Sequence, residues 1–272
     1  MQKIISFVSS SPDWPRLAIL IGTMIVFWNI ENINEVVTGR AKWKHAFRNA
    51  LFIIPAAPVQ FLLGFVFLFC IRWDALNHFG IFQKSFFRAH TLIDFIVILI
   101  VLDFFEYVYH VFMHKVKRLW MFHLIHHSDK QVDVSTTLRE HPAETLIRLS
   151  FSILLVFILG VPFWIVLARQ WVQIAFNVVQ HSSFRFTLRT DRILRTIFVT
   201  PNMHHTHHHF QLPYTDSNYG DIFSFWDRIF GTFRKHELSE VEYGIDTMND
   251  ASEHSRFFRL LSIPFGKYRS EK

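Results

Sequence analysis

The chain has 272 residues, 51% of which are hydrophobic, and its mean hydropathy of +0.23 is too apolar for an ordinary water-soluble domain. Its net charge of +6 could attract nucleic acid, but the basic residues cluster beside apolar runs, so we expect anionic lipid headgroups and no nucleic acid as partners. The single cysteine, Cys70, excludes a disulfide framework and a cysteine-based metal site, so any metal must be held by His, Asp or Glu.

Long apolar runs predict membrane-embedded helices, because about 20 apolar residues of helix cross the hydrocarbon layer. The four predicted segments are approximately residues 17–33, 50–71, 92–113 and 149–181. The first has no cleavage site typical of a signal peptide, so we interpret it as an anchor. The fourth is predicted to break near Gly160 and again at Arg169, as a helical hairpin that dips into the membrane and returns.

The basic residues of loop 34–49 predict the orientation. Three crossings place this loop and the end of the third helix on the same side of the membrane. That side is predicted to be cytoplasmic because the loop contains Arg40, Lys42, Lys44 and Arg48. We therefore expect a single all-α domain over 1–272. It consists of an integral membrane helical bundle with a cytosolic helical cap, built from 114–148 and 182–272, that includes the C-terminus.

Twelve of the 17 histidines lie between His110 and His209, in regularly spaced groups. His110 and His114 are four residues apart, so they share one helix face. The stretches "HLIHH" (123–127) and "HHTHHH" (204–209) each contain the pattern H-x-x-H-H. Protonated imidazoles packed so densely would repel one another, so the groups favour neutral imidazoles organised by a metal ion.

The number of these histidines predicts two metal ions. The three groups supply eight imidazoles, more than one ion can bind while a position stays open for chemistry. Imidazole binds zinc, copper, iron and nickel alike, so the residue types do not determine which metal is bound. We interpret the isolated histidines as structural, namely His45, His78, His90, His236 and His254.

The order of the motifs resembles the fatty acid hydroxylase / sterol desaturase superfamily, whose members are membrane-bound non-haem di-iron oxygenases. The resemblance covers about half of the chain and is carried by "DFFEYVYHVFMH", "HLIHH", "REHPAE", Gln180-His181, "TPNMHHTHH" and "NYGDIFSFWDRIFGTF". It implies two iron ions, with zinc able to substitute in purified protein. The metal ligands that it implies are His110, His114, His123, His126, His127, His181, His204, His207 and His208.

The same resemblance implies an O2-dependent oxidoreductase that hydroxylates or desaturates an unactivated C–H position of a lipid. Sterols, fatty acyl chains, carotenoids and ether lipids are all oxidised by members of this superfamily, and the sequence does not choose among them. We expect a separate electron donor of the cytochrome b5 or ferredoxin type, because the chain contains no haem or flavin motif.

Other polar residues near the motifs are candidates for contacts to the ligands. Asp103 lies two helical turns before His110 on the same face and is expected to hold a ligand imidazole in its tautomer. Three roles remain open for His141: it binds the metal, it contacts a metal ligand, or it caps a helix beside Pro142. Two roles remain open for Asp227: it orients a metal ligand, or it anchors the amphipathic stretch 219–233 at the membrane interface.

Three positions leave further questions. Val111 stands where the superfamily often has an arginine after its first histidine. His205 and His209 are additional histidines that create a second H-x-x-H-H pattern, and no role is assigned to them. The preceding Thr200-Pro201 pair matches the superfamily motif and favours the pattern that begins at His204.

Two other functional classes compete with the oxygenase. A histidine-rich membrane metal transporter or metal-binding protein would keep its histidines in irregular loops, whereas the spacing here is strict and the groups lie beyond the helix ends. A membrane zinc protease is disfavoured because the sequence contains no H-E-x-x-H motif.

Overall fold

The computed structural model describes residues 14–33, 39–84, 92–248 and 250–267, so His90 lies outside the described residues. Within these ranges the regular structure is helical, and the β-type pairing consists of two isolated bridges, Phe198 with Phe223 and His209 with Tyr243. The all-α prediction is therefore confirmed.

Long apolar helices make up most of the N-terminal two thirds. They are α1 (Trp14–Ile33), α3 (Ile53–Asn77), α5 (Leu92–Lys115), α7 (Pro142–Leu159) and α8 (Phe163–His181). By length and composition, two of the described helical stretches could cross a membrane, one within Gly39–Gln83 and the other at Pro142–Leu159, and Leu17–Ile33 is a shorter apolar helix. Large side chains of α3, such as Phe61 and Leu62, are mostly exposed. These features indicate membrane association.

The remaining helices are short. They are α2 (Gly39–Ala50), α4 (Ile81–Lys84), α6 (Lys117–His127), α9 (Leu188–Leu194), α10 (Pro201–His207), α11 (Phe225–Ile229), α12 (Ala251–Ser255) and α13 (Phe257–Ser262). Three 3-10 turns cover Val134–Leu138, Leu238–Glu240 and Ile263–Phe265.

The segment 149–181 breaks once rather than twice. Helix α7 ends at Gly160, whose φ of 66° favours glycine and whose backbone packs so closely on Gly80 that a Cβ would lie 2.7 Å from the Gly80 Cα. The predicted break near Gly160 is therefore confirmed. The predicted break at Arg169 is wrong, because helix α8 continues through this residue. The guanidinium of Arg169 pairs with Glu106 of α5 at 3.0 Å.

Helix α2 is amphipathic, with a buried polar face and an exposed face that combines aromatic and basic residues. Trp43, Lys44 and Phe47 are exposed, whereas Lys42 is buried and pairs with Glu31 of α1 at 3.0 Å. One of the four positive charges used to predict the orientation is therefore neutralised inside the protein. The other three remain available to lipid headgroups.

Two hydrophobic cores position the histidines. One joins α5, α7 and α8 through residues such as Leu102, Val156 and Ile165. The other packs the apolar side of α6, including Trp120 and Leu124, against Phe52 and the C-terminal residues Ile245, Met248, Leu260 and Ile263. Helices α5 and α6 are thus fixed by their apolar faces, and their histidines meet each other.

Candidate metal centre

Nine buried or partly buried histidines converge in two groups, and within each group the ligand atoms lie within 4.8 Å of one another. The first group contains His110, His114, His123, His127 and His207. The second contains His126, His181, His204 and His208. These are the nine residues implied by the superfamily resemblance. That they bind metal stays a prediction.

Helix geometry explains how neighbouring residues reach different groups. Adjacent helical residues point about 100° apart, so His126 and His127 enter different groups. Residues one turn apart share a face, so His123 joins His127 in the first group. Likewise His204 joins His208 in the second group. The H-x-x-H-H pattern therefore serves two adjacent sites from a single helix.

The closest ring nitrogens are at distances expected for ligands of a shared ion. In the second group, the Nε2 atom of His181 lies 3.0 Å from the Nε2 atoms of both His126 and His204. In the first group, the Nε2 atoms of His110 and His123 lie 3.2 Å apart. Two ligands at right angles around an ion about 2.1 Å away would be about 3 Å apart. The donor positions therefore fit a metal ion.

Hydrogen bonds on the far side of five rings fix which nitrogen faces the group. The Nδ1 atoms lie within 3.2 Å of Tyr219 O (His110), Glu144 Oε1 (His123), Arg139 O (His126), Asn177 O (His181) and Ser217 O (His207). Carbonyl and carboxylate oxygens only accept hydrogen bonds, so each Nδ1 must carry the proton and donate it. The lone pair on Nε2 is then directed into the group, as metal ligation requires.

Several buried ring nitrogens have no hydrogen-bond partner among the described residues. They include both nitrogens of His127 and the Nε2 atoms of His114 and His207, whereas the Nδ1 atom of His114 lies 3.4 Å from a carboxylate oxygen of Asp216. A buried polar atom without a partner costs about 1–3 kcal/mol. Because a bound cation would supply the missing partner, the residues present fit a metal centre with nitrogen ligands.

Burial keeps several of these imidazoles neutral. Burial, followed by repulsion from neighbouring histidines, lowers the pKa of His127, His204 and His208 well below its usual value. Burial also lowers the pKa of His207 to about 3. Neutral imidazoles offer lone pairs at neutral pH, so a metal ion would not compete with protons.

Glu144 was not singled out as a functional residue by sequence reasoning. It lies in the first turn of α7, is 4% exposed, and its Oε1 atom is 2.6 Å from the Nδ1 atom of His123. A carboxylate in the first turn of a helix is usually explained by the helix dipole, which hid this contact. The only sequence signal was its place in the "REHPAE" motif.

Arg139 also orients the "HLIHH" stretch (123–127). Its side chain is 2% exposed, and its guanidinium donates to the carbonyl of Ile125 and the hydroxyl of Ser128, which flank His126 and His127. Its carbonyl accepts the hydrogen bond from His126. Arg139 therefore fixes α6 from both its backbone and its side chain.

Asp103 has a different role from the one expected. Its carboxylate accepts hydrogen bonds from the backbone of Ile222 and Phe223 and from the indole of Trp226, rather than from an imidazole. Asp103 therefore anchors the loop before α11 to helix α5. A helical position two turns before His110 was not sufficient to predict this partner, which lies about 120 residues away.

The contacts of Asp227 and His141 each correspond to one of the alternatives left open for these residues. Asp227 accepts hydrogen bonds from the backbone of Tyr219 and Gly220, and the Tyr219 carbonyl in turn accepts from His110. Asp227 thus orients a candidate ligand through the backbone. His141 caps α7, because its Nδ1 atom accepts from the backbone of Ala143.

His205 and His209 lie outside both groups among the described residues. His205 is fully buried, and its Nε2 atom donates to the carbonyl of Ser182 while its Nδ1 atom accepts from Arg185 and Tyr243. His209 accepts a hydrogen bond from the backbone of Glu242. Both histidines therefore connect the "HHTHHH" stretch (204–209) by hydrogen bonds to neighbouring parts of the protein.

We expect His205→Ala to lower the Tm but to leave the iron content unchanged, whereas His204→Ala should lose iron. The reason is that His205 makes buried hydrogen bonds, each worth about 1 kcal/mol, while His204 belongs to the second group. Metal analysis and thermal unfolding of the purified variants measure both effects. Equal iron loss in the two variants would show that His205 is a ligand.

His45 is structural, as predicted, and it should make stability depend on pH. It is buried between Asp129 and Asp133, with ring nitrogens 2.7 and 3.0 Å from their carboxylates. Burial alone would lower the pKa of His45, but these carboxylates outweigh it and raise the pKa to about 9. The charged imidazole therefore stabilises the fold fully below the unfolded pKa of about 6.5, and this stabilisation is lost as the pH rises through about 9.

We accordingly expect the Tm to fall between pH 7 and pH 9.5, roughly across the folded pKa of His45. In His45→Gln this fall should be smaller, because the side chain does not titrate. Thermal unfolding at a series of pH values measures the difference. The same slope in both proteins would contradict the assignment.

Comparison with known proteins adds a family match and several relatives. The family model described as fatty acid hydroxylase matches residues 95–232, which include all nine histidines. The chain is 30% identical to alkylglycerol monooxygenase of Caenorhabditis elegans over 185 residues, which are 67% of this chain and 34% of that protein. It is 32% identical to an ornithine lipid hydroxylase of Rhizobium tropici over 135 residues, which are 50% of this chain and 40% of that protein.

A third relative is cholesterol 25-hydroxylase of Homo sapiens, which is 29% identical over 137 residues, 50% of this chain and 49% of that protein. The chain thus spans only about a third to a half of the length of these curated relatives. No solved structure matches the chain.

Proposed function

The chain belongs to the fatty acid hydroxylase family, and on that premise we propose that it uses O2 to hydroxylate an unactivated C–H position of a lipid at a centre of two iron ions. The observation that carries this proposal is the pair of adjacent all-histidine groups. Hydroxylation is favoured over desaturation because the relatives named above are hydroxylases and monooxygenases.

The residues of the centre would hold the metal and limit access to it. Bound iron would supply the activation of O2 for insertion into a C–H bond. The Nδ1–H bonds to fixed oxygens hold the rings in place, and burial keeps water away from most of them. His110 and His126 are the partly exposed members of their groups, so a substrate would approach from their side.

The lipid would reach the centre from the bilayer. We infer a membrane bundle formed by segments near 17–33, 50–71, 92–113 and 149–181, with the histidines at its cytoplasmic end. The relatives act on lipids as different as alkylglycerols, ornithine lipids and cholesterol. The proposed substrate is therefore a lipid whose headgroup is not specified. Electrons would come from a separate donor of the cytochrome b5 or ferredoxin type.

Lipid profiling of cells that express the protein or its His208→Ala variant tests the proposal. A lipid that gains one oxygen, about 16 mass units, should accumulate only with the unchanged protein. The control for expression is His236→Ala, outside both groups. A protein that takes up iron while neither O2 consumption nor lipid mass changes would favour a metal transporter or metal-binding protein instead.

A further inference from the structure

Five large apolar side chains are exposed on α9, on α11 and in the turns that follow them. More than half of each residue is exposed, although all five lie outside the predicted membrane segments. We call them the apolar patch, which consists of Leu188, Ile193, Ile197, Ile229 and Phe230. Exposed apolar residues in such number mark a surface that meets lipid or another molecule.

The two parts of the apolar patch are joined by hydrogen bonds between their backbones. The backbone N–H of Ser224 donates to the carbonyl of Ile197 at 2.9 Å, and Phe198 forms a bridge with Phe223. The guanidinium of Arg228 in α11 donates to the carbonyl of Arg195 at 2.6 Å. Helices α9 and α11 therefore present one continuous surface.

Contacts with α5 fix the depth of this surface. The indole of Trp226 donates to Asp103 at 2.9 Å, and the ring of Phe230 stacks on Tyr107 with centroids 5.4 Å apart. Tyr107 lies six residues before Met113, where the predicted membrane segment ends. At 1.5 Å per residue, Phe230 packs about 9 Å below that end. A residue at this depth, exposed on its outer side, would face lipid rather than water.

Exposed arginines accompany the apolar patch. Arg189 and Arg192 lie on α9 and Arg228 on α11. The guanidinium of Arg228 is held by the protein, because it lies 4.3 Å from the ring centroid of Phe233 and donates to the carbonyls of Ser224 and Arg195. The side chains of Arg189 and Arg192 are exposed and are suited to lipid phosphates. Two copies meeting through this surface would bring like charges together, which disfavours a second copy as its partner.

We propose that the apolar patch is immersed in the cytoplasmic leaflet, with acyl chains against its apolar residues and phosphate headgroups against Arg189 and Arg192. Helices α9 and α11 would then be part of the membrane-embedded body rather than of a cytosolic cap. The inference rests on the proposed membrane bundle but not on the proposed reaction. It also brings the bilayer to the helix that contains Asp227, which orients His110 through Tyr219.

Spin labelling tests the position of the patch directly. Cys70→Ser removes the only cysteine, and single cysteines are then introduced as Ile229→Cys, Leu62→Cys and Glu240→Cys. Leu62 is exposed on α3 and reports lipid, whereas Glu240 is an exposed charged residue and reports water. Each purified chain is labelled with a nitroxide and placed in nanodiscs of phosphatidylcholine and phosphatidylglycerol. Collision with O2, which prefers lipid, and with a water-soluble nickel chelate is then measured.

We expect the ratio of O2 to nickel collisions at Ile229 to match that at Leu62 and to exceed severalfold that at Glu240. A ratio at Ile229 that matches Glu240 would overturn the inference. Low collision with both reagents would also overturn it, because another protein surface would then cover the patch. Water-like collisions at Leu62 would overturn the membrane bundle and the inference with it. None of these readings depends on turnover, so failure of the proposed reaction is recognised separately.

Discussion

In the proposed two-iron lipid hydroxylase, replacing His208 with alanine is expected to abolish lipid hydroxylation and to reduce the iron content from about two ions per chain to about one. His208 belongs to the group of four histidines, so its loss leaves only three imidazoles there. The second group has no spare ligand in the described part of the chain. Metal analysis of the purified protein, together with O2 consumption in the presence of membrane lipid, measures both effects.

The matched comparison is His127→Ala in the group of five histidines. Four imidazoles remain there after the substitution, so we expect a smaller loss of iron than in His208→Ala. His236→Ala is the control, since it lies outside both groups. If His208→Ala keeps two ions and full turnover, the assignment of His208 as a metal ligand is wrong.

Local helix geometry made part of the centre predictable from the sequence. The spacing of His110 and His114 placed this pair on one helix face, and the structure finds both in one group. For His123 the spacing left either His126 or His127 as the partner, and the structure groups it with His127. Divergence of adjacent residues was compatible with two metal sites or with one site and a residue that contacts it, and the structure places His126 and His127 in different groups. His181 has no such neighbour, and only the superfamily resemblance identified it.

Contacts between residues distant in sequence were not predictable from spacing. Arg169 looked like a helix break because a charge in an apolar run is costly, but its partner Glu106 lies on another helix. Lys42 was counted as a surface charge because nothing in the sequence links it to Glu31. In both cases a buried partner changes what the charged residue does, and only the fold reveals that partner.

Glu144→Ala is expected to reduce iron affinity and turnover by about 10- to 100-fold, the usual effect of removing a carboxylate that orients a metal-binding histidine. Without the carboxylate, the Nδ1–H of His123 loses its acceptor, so the ring can rotate or change tautomer. Glu144→Gln keeps an acceptor oxygen and should retain most of the affinity. Titration of bound iron with a chelator measures the effect independently of activity.

Glu140 provides a control within the same motif. It is also a carboxylate close to α7, but it pairs with Arg148 at 2.8 Å on the partly exposed surface and contacts none of the nine histidines through a described hydrogen bond. Glu140→Ala should therefore change iron affinity little. If Glu140→Ala and Glu144→Ala lower iron affinity equally, the effect comes from general destabilisation of α7. If only Glu144→Ala does so, and Glu144→Gln restores it, the hydrogen bond to His123 is what tunes the centre.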